Sequence, residues 1–340
     1  MKVKLYFYLS LFCLQVFSLE ASKSVLIIGA GPAGLASAIE VHQRGFDVTL
    51  VEKREEYTRS QIVFLLEPSL ALLEKWNITV PNMNLFYFNN EKMGGVQIKN
   101  LEKGLEEKVH QLGIKKIQGY FVDFAEGLQV KIANSAGTLT LPYDFVIAAD
   151  GTHSQVREAA CIHCRHLGSA KGIWLWMSLA EPIEECEVSP ILTKDTYFIR
   201  KISVWNKKII FLQSLPNQLE TFQTSTLADL SAKAADCGWQ QEAEIIANGN
   251  VLVCDNIEVL LQQAETFVEE NKALILVGDA AACGSFFHGK GVNTALMTAT
   301  LAGDFFDHIE TNPKEAYGIF NQEIKKATDE LINYSTFLFK

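Results

Sequence analysis

An α/β fold with two sheets is expected: one mixed sheet flanked by helices, and a smaller antiparallel one. Three observations carry this. The apolar run Val25-Leu-Ile-Ile28 enters a glycine-rich turn and then a helix-like segment. Two further apolar runs, Tyr143-Asp-Phe-Val-Ile-Ala-Ala149 and Ala273-Leu-Ile-Leu-Val277, end in Asp150-Gly151 and Gly278-Asp279. Between them, residues 168–255 change character and become rich in aromatic, β-prone segments. Short apolar runs closed by glycine suit strands buried on both faces, whereas alternating runs suit half-buried ones.

The first element is the most informative. The turn reads Gly29-Ala30-Gly31-Pro32-Ala33-Gly34, a helix-like run follows from Leu35 to Arg44, and a second strand, Asp47 to Val51, ends on Glu52. Strand, glycine turn, helix, strand and acid follow in the order of a Rossmann-like dinucleotide-binding unit. Gly29 permits the tight turn, and Gly31 lets backbone approach a diphosphate. Gly34 lets the helix pack on the strand, and the helix N-terminus offers free N–H groups to an anion. Glu52 is placed to accept from both hydroxyls of an adenosine ribose, and it repels a 2′-phosphate. The expected dinucleotide is therefore FAD or NAD rather than NADP.

Further along, Lys53, Arg54 and Arg59 are basic residues just past the acid. Helices are expected from Leu65 to Trp76 and from Ile98 to Leu112, the latter opened by Lys99 and stopped at Gly113. Gly119–Phe124, Gln129–Ala133 and Thr138–Leu141 read as a small antiparallel meander. Strands of the second sheet are expected at Gly172–Leu179, Thr196–Val204 and Lys208–Leu215, followed by a helix from Leu227 to Cys237. After the strand Ala273–Val277 come His288-Gly289-Lys290-Gly291-Val292-Asn293 and helical runs Thr294–Ile309 and Lys314–Tyr334.

With 48% hydrophobic and 21% charged residues, the 340-residue chain has an ordinary globular composition. A net charge of -10 argues against a nucleic-acid partner, and a small-molecule substrate is expected instead. Lys2 and Lys4, the apolar stretch Leu5–Phe17 and the small residues Ala21-Ser22 form the parts of a secretory signal over residues 1–22. That predicts an exported protein; the alternative is a membrane anchor at this segment. Cys161-Ile-His163-Cys164 and His166 are too cramped to close one tetrahedral zinc site, so no metal is expected. The expected units are residues 23–167 and 256–340 for the dinucleotide domain and 168–255 for the second sheet.

Together three separated motifs carry a family resemblance. They are the glycine fingerprint, Asp150-Gly-Thr-His-Ser154-Gln-Val156-Arg157, and Gly278-Asp279-Ala-Ala281 with Gly289-Lys-Gly291-Val-Asn293. The chain resembles the single-component FAD-dependent monooxygenases of the p-hydroxybenzoate hydroxylase type. The resemblance implies FAD, NAD(P)H as external reductant, and oxygenation of an apolar or aromatic substrate through a flavin hydroperoxide. It implies that Gly29 to Gly34 hold the diphosphate, and that Glu52 with Lys53, Arg54, Arg59 and Lys99 surround the dinucleotide. Asp150-Gly151 would serve FAD and reductant together, and Asp279 would bind the ribityl chain. Gly289, Gly291, Val292 and Asn293 would lie under the flavin ring, with His288 a candidate for direct catalytic contact. Val51-Glu-Lys-Arg54, Arg59-Ser-Gln61 and Ile98-Lys-Asn-Leu101 also resemble the MICAL flavin domain. Two other functions fit the same scaffold: an FAD-dependent reductase or dehydrogenase, and a non-catalytic FAD-binding secreted protein.

Overall fold

The computed structural model describes residues 22–178, 186–204, 206–215, 226–336 and 338; for residues 254–256 and 288 it describes the backbone only. The expected secretory signal, apart from Ser22, lies outside the described residues, as does Trp205.

The chain opens with β1 (Ser24–Ile28), α1 (Pro32–His42) and β2 (Asp47–Glu52). β1 pairs in parallel with β2, Val25 to Ile28 are buried, and Gly29 N–H donates to the Val51 carbonyl at 2.8 Å. The fingerprint therefore sits at the C-terminal ends of two parallel strands, where α/β sheets bind ligands. Next come β3 (Ile62–Leu65) and α2 (Glu67–Lys75). The fully buried Glu40 of α1 accepts from Arg44 at 2.5 Å, Trp76 at 2.6 Å and Lys75 at 2.7 Å, which ties α1 to the end of α2.

β4 (Asn84–Phe88) and β5 (Glu91–Gln97) form a hairpin that the sequence reading passed over. Its turn is Asn89-Asn90, both at positive φ (50° and 65°), as a two-residue hairpin turn requires. β3 pairs antiparallel with β5, so β3-β5-β4 make a small sheet of their own. α3 (Ile98–Gln111) and β6 (Lys115–Gln118) lead to the meander β7 (Tyr120–Ala125), β8 (Gln129–Asn134) and β9 (Gly137–Pro142). β10 (Phe145–Ala148) then pairs in parallel with β1, and α4 (Gln155–Ala159) follows.

The second sheet is built on β11 (Cys164–Ser178). Short strands β12 (Glu187–Val188) and β13 (Leu192–Thr193) border β14 (Tyr197–Val204), which pairs with β15 (Lys207–Ser214). α5 (Leu227–Asp236) and α6 (Gln240–Ala247) cover one face, and β16 (Leu252–Ala264) pairs antiparallel with β11. The period-2 alternation sorts the side chains. Ile173, Leu175 and Met177 pack with Leu230, Ala234 and Ile246 of the helices; Trp174 and Phe211 go to the other face with Phe64, Phe86 and Phe287. Because β11 starts at Cys164 and β16 runs to Ala264, this sheet extends past the expected limits 168–255 on both sides.

β17 (Val268–Glu269) and β18 (Leu274–Leu276) return to the first sheet, whose order is β17-β18-β10-β1-β2-β6. β19 (Ala282–Cys283) joins the second sheet beside β16. The chain ends in α7 (Lys290–Thr311) and α8 (Pro313–Thr336). α7 begins four residues before the expected Thr294, directly after Gly289 at φ +61°. The observed architecture is the expected one: a mixed-sheet FAD-type layer plus an antiparallel sheet domain.

Candidate functional site

A cavity of about 1060 Å³ lies between the two main sheets and the β3-β5-β4 sheet. One end is polar backbone and charge. The other is aromatic.

The polar end collects all three motifs. Gly29, Gly31, Pro32 and Ala33 line it from the first, Asp150 and Gly151 from the second, and Asp279, Gly289, Gly291 and Val292 from the third. A Cβ placed on Gly29 would lie 2.3 Å from the Ala149 carbonyl oxygen, so no other residue fits there. A Cβ on Gly34 would lie 1.9 Å from the Gly29 carbonyl oxygen. Gly34 and Ala30 do not line the cavity; they serve packing and Glu52 instead. By contrast, a Cβ on Gly151, Gly289 or Gly291 would meet nothing within 4 Å, which leaves that backbone open to a ligand. The N-termini of α1 and α7 both carry no side-chain cap. Residues of both ends line the same cavity, and first-turn N–H groups without a side-chain cap among the described residues fit a ligand with negative charge at two places.

Glu52, Lys53, Arg54 and Arg59 also line this end. The sequence did not reveal how far Glu52 is already satisfied. Its carboxylate accepts from Ala30 N–H at 2.7 Å, from Arg54 N–H at 2.8 Å, and from Arg54 Nε and Nη2 at 3.0 Å each. Burial pushes its pKa up, but the bonds from Arg54 and Ala30 outweigh that and hold it below the usual carboxylate range. Arg54 and Arg59 both bind Glu102, a fully buried carboxylate of α3 that the sequence reading did not single out. Arg59 Nη2 lies 3.7 Å from where a Cβ of Gly31 would stand, over the glycine turn.

Asp279 makes no hydrogen bond among the described residues; burial pushes its carboxyl up, and Arg59 pulls it back. A half-buried acceptor with free lone pairs suits the hydroxyls of a sugar-alcohol chain. Asp150 is raised by burial as well, against hydrogen bonds from Ser154 Oγ and the Val156 N–H.

Two expected cofactor residues fall elsewhere. Lys99 does not line the cavity; its N–H donates to the Arg59 carbonyl at 3.0 Å. Neighbouring helix positions are about 100° apart, and Ile98 takes the cavity side. Asn293 is buried and away from the cavity. It accepts from Leu66 N–H and Ser69 Oγ and donates to the carbonyls of Phe64 and Gly289, clamping β3 and α2 to the start of α7. The side chain of His288 lies outside the described residues, and its backbone forms the 3-10 turn Phe286–His288.

At the far end stand Trp174 and Phe211, which belong to the aromatic-rich second sheet expected from the sequence to form one wall of a pocket, together with Ile62, Phe64, Phe86 and Phe286, which were not expected there. The alternation of Phe86 and Phe88 about Tyr87, next to Asn89-Asn90, was the available signal for the hairpin wall.

Comparison with known proteins agrees with this geometry. Two family models described as FAD binding domain match residues 24–64 and 122–310. The FAD-dependent monooxygenase notI of Aspergillus sp. (strain MF297-2) is 24% identical over 160 residues, covering 39% of this chain and 37% of the relative. Notoamide E oxidase notB' of Aspergillus versicolor is 30% identical over 164 residues, covering 40% and 36%. The matched stretch thus spans little more than a third of either relative. The tetrameric form of 2-methyl-3-hydroxypyridine-5-carboxylic acid oxygenase superposes with a TM-score of 0.73 at 17% identity, over 93% of this chain and 91% of that one. That likeness is one of fold. Because the second FAD-binding model covers more than half of the sequence, the chain belongs to the FAD-binding-domain family of p-hydroxybenzoate hydroxylase-type flavoproteins.

Proposed function

We propose that the chain is an FAD-dependent monooxygenase that draws electrons from NAD(P)H and oxygenates an apolar or aromatic small molecule. The observation that carries this is one cavity with two uncapped helix N-termini and a half-buried aspartate at one end, and an aromatic wall at the other. Bound FAD would supply hydride acceptance and dioxygen activation. The residues would divide the remaining work. Free N–H groups of α1, beneath Arg59, would hold the diphosphate. Glu52, with Arg54 locked onto it, would accept from the adenosine ribose. Asp279 would accept from the ribityl hydroxyls. The α7 N-terminus at Gly289–Val292 would stabilise negative charge on the ring system as it is reduced. The aromatic wall would exclude water and hold the substrate ring.

The test uses purified protein loaded with FAD. A flavin band near roughly 450 nm is expected, with NADH or NADPH oxidation and transfer of one atom of isotope-labelled dioxygen to a product. Protein that binds FAD and oxidises reductant, yet leaves product unlabelled, would point to a reductase. Protein that takes up no FAD would overturn the reading.

A further inference from the structure

Glu102 of α3 is fully buried and does not line the cavity. Its carboxylate is nevertheless where two cavity-lining arginines meet. Oε1 accepts from Arg54 Nη1 at 3.3 Å and from Arg59 Nη2. The two arginines are not equally free. Arg54 is locked onto Glu52 through its N–H, Nε and Nη2. Arg59 has Glu102 as its ion-pair partner, and its side chain is 40% exposed.

The same helix also fixes the main chain of Arg59. First-turn N–H groups have no partner within their own helix. In α3, Lys99 N–H donates to the Arg59 carbonyl at 3.0 Å and Ile98 N–H to the Gln61 carbonyl at 2.9 Å. One helix thus grips Arg59 twice, by backbone and by guanidinium. What the grip leaves over points to a ligand. Arg59 and Gln61 line the cavity, and among the described residues the buried Arg59 Nε and Gln61 Oε1 have no hydrogen-bond partner. Arg59 Nη2 stands over the glycine turn at the start of α1. Two carboxylates, Glu52 and Glu102, balance the two guanidiniums, so these side chains offer an anion no net charge. What they offer is a fork held in one place.

We propose that Glu102 is a positioning residue for the dinucleotide: it holds Arg59 in register with the α1 N-terminus, so that both meet one diphosphate. This rests on the FAD reading above and not on oxygenation. Fixing the side chain beforehand moves its ordering cost from binding to folding. The carboxylate is itself negative and so opposes the diphosphate. Positioning prevails, because Arg54 and Arg59 line the cavity and Glu102 does not. Its charge reaches an anion there only past the two cations that neutralise it.

The test is a double-mutant cycle on FAD affinity, read by flavin fluorescence titration, with urea unfolding of the same proteins to follow the fold. Glu102→Gln removes a negative charge near the diphosphate, and simple attraction would then tighten binding. Lost positioning should instead weaken it about 3- to 10-fold, the scale of ordering one flexible side chain on binding. Arg59→Met should weaken it about 10- to 100-fold, the scale of a charged hydrogen bond. With Arg59 already replaced, Glu102→Gln should cost FAD affinity nothing further. A merely structural Glu102 would give the same loss in both backgrounds. Should Glu102→Gln not fold, Glu102→Asp, which withdraws the carboxylate by one methylene, runs the same cycle. Tighter or unchanged FAD binding in the Glu102 variant, equal losses in both backgrounds, or unchanged affinity in Arg59→Met would overturn the proposal. Unlabelled product would sink the oxygenase reading alone and leave these ratios as they are.

Discussion

Arg157 donates from Nη1 to the carbonyl oxygen of Ala280 at 2.8 Å, and from Nη2 to the Thr152 carbonyl at 3.1 Å. One buried guanidinium thus ties the Asp150 turn to the Gly278-Asp279 turn, where its acceptor Ala280 lies 123 residues from Arg157 in sequence. The Ser154 hydroxyl caps the intervening helix by accepting from Arg157 N–H and donates to Asp150. Arg157→Met removes the Ala280 carbonyl's guanidinium donor and leaves the Thr152 carbonyl with Gln262 alone, and a cost of about 1–3 kcal/mol is expected. Because both turns line the polar end of the cavity, proposed above to hold FAD, FAD affinity should fall about ten-fold as well. Arg157→Lys reaches one carbonyl at a time and should fall between. Denaturant unfolding and FAD titration on the same samples read both effects; unchanged FAD affinity in a destabilised Arg157→Met would separate the tether from the site.

Gly29 and Gly151 both sit at positive φ, +101° and +92°, but their surroundings differ. At Gly29 a methyl group collides with backbone at Ala149; at Gly151 it meets open cavity. Gly29→Ala should cost more than about 3 kcal/mol, since strain and overlap add. Gly151→Ala should cost about 1–2 kcal/mol from backbone strain alone and keep the fold. Its methyl group should still obstruct the dinucleotide. Thermal unfolding ranks the two variants, and bound flavin reads the second. Equal destabilisation would show that the glycine turn yields at Gly29.

Much of this fold was legible because its motifs are backbone requirements. A strand that ends in Gly29, Asp150-Gly151 or Gly278 states where a turn must be, and those turns do meet at one cavity. β16 was illegible for the opposite reason. Its polar residues do not alternate, because they answer distant partners: Gln262 donates to the Thr152 carbonyl, and Gln263 to Thr328 and Asp329. Asn293 shows the limit of a motif. Its position near the third fingerprint suggested a cofactor contact, but its partners Phe64, Leu66 and Ser69 lie more than 220 residues away in sequence. Glu102 and the part of the aromatic wall that comes from β3 and the hairpin were hidden likewise, since only tertiary packing brings α3, the hairpin and the second sheet to one space.

Asp279 faces the cavity with no hydrogen-bond donor among the described residues, and its pKa in the folded chain is raised by burial. A raised carboxylate pKa means that the folded state holds the proton more tightly than the unfolded chain. The charge therefore costs stability at neutral pH, and the cost is relieved as pH falls through the raised value. Asp279→Ala removes that cost and the proposed ribityl acceptor together. Ligand-free Asp279→Ala is expected to be as stable as the wild type or up to about 1 kcal/mol more so. Its flavin content should drop about ten-fold or further. Circular dichroism checks the fold, and absorbance after gel filtration reads retained flavin. Full flavin retention would remove Asp279 from the site.

Glu242 lies far from that chemistry, on α6 against the outer face of the second sheet, with its side chain 4% exposed. It accepts from Lys201 Nζ at 2.8 Å and Lys208 Nζ at 2.7 Å, and Lys201 also stands 4.9 Å above the Trp239 ring. Burial pushes the Glu242 carboxyl up, but the two lysines prevail and bring it from its ordinary 4.5 down to about 2. A depressed folded-state pKa stabilises the protein at pH above the unfolded value and ceases to do so as pH falls through the folded one. The contribution should therefore be complete at pH 7 and decline between pH 4.5 and 2. Glu242→Gln leaves two lysines facing a neutral amide, and about 2–4 kcal/mol of stability should be lost at neutral pH. Many carboxylates titrate in acid, so the informative quantity is the wild type minus Glu242→Gln difference, measured by urea unfolding at each pH. That difference should be flat from pH 7 to 5 and shrink below. A difference that persisted unchanged at pH 2 would mean that Glu242 anchors α6 by shape and not by charge.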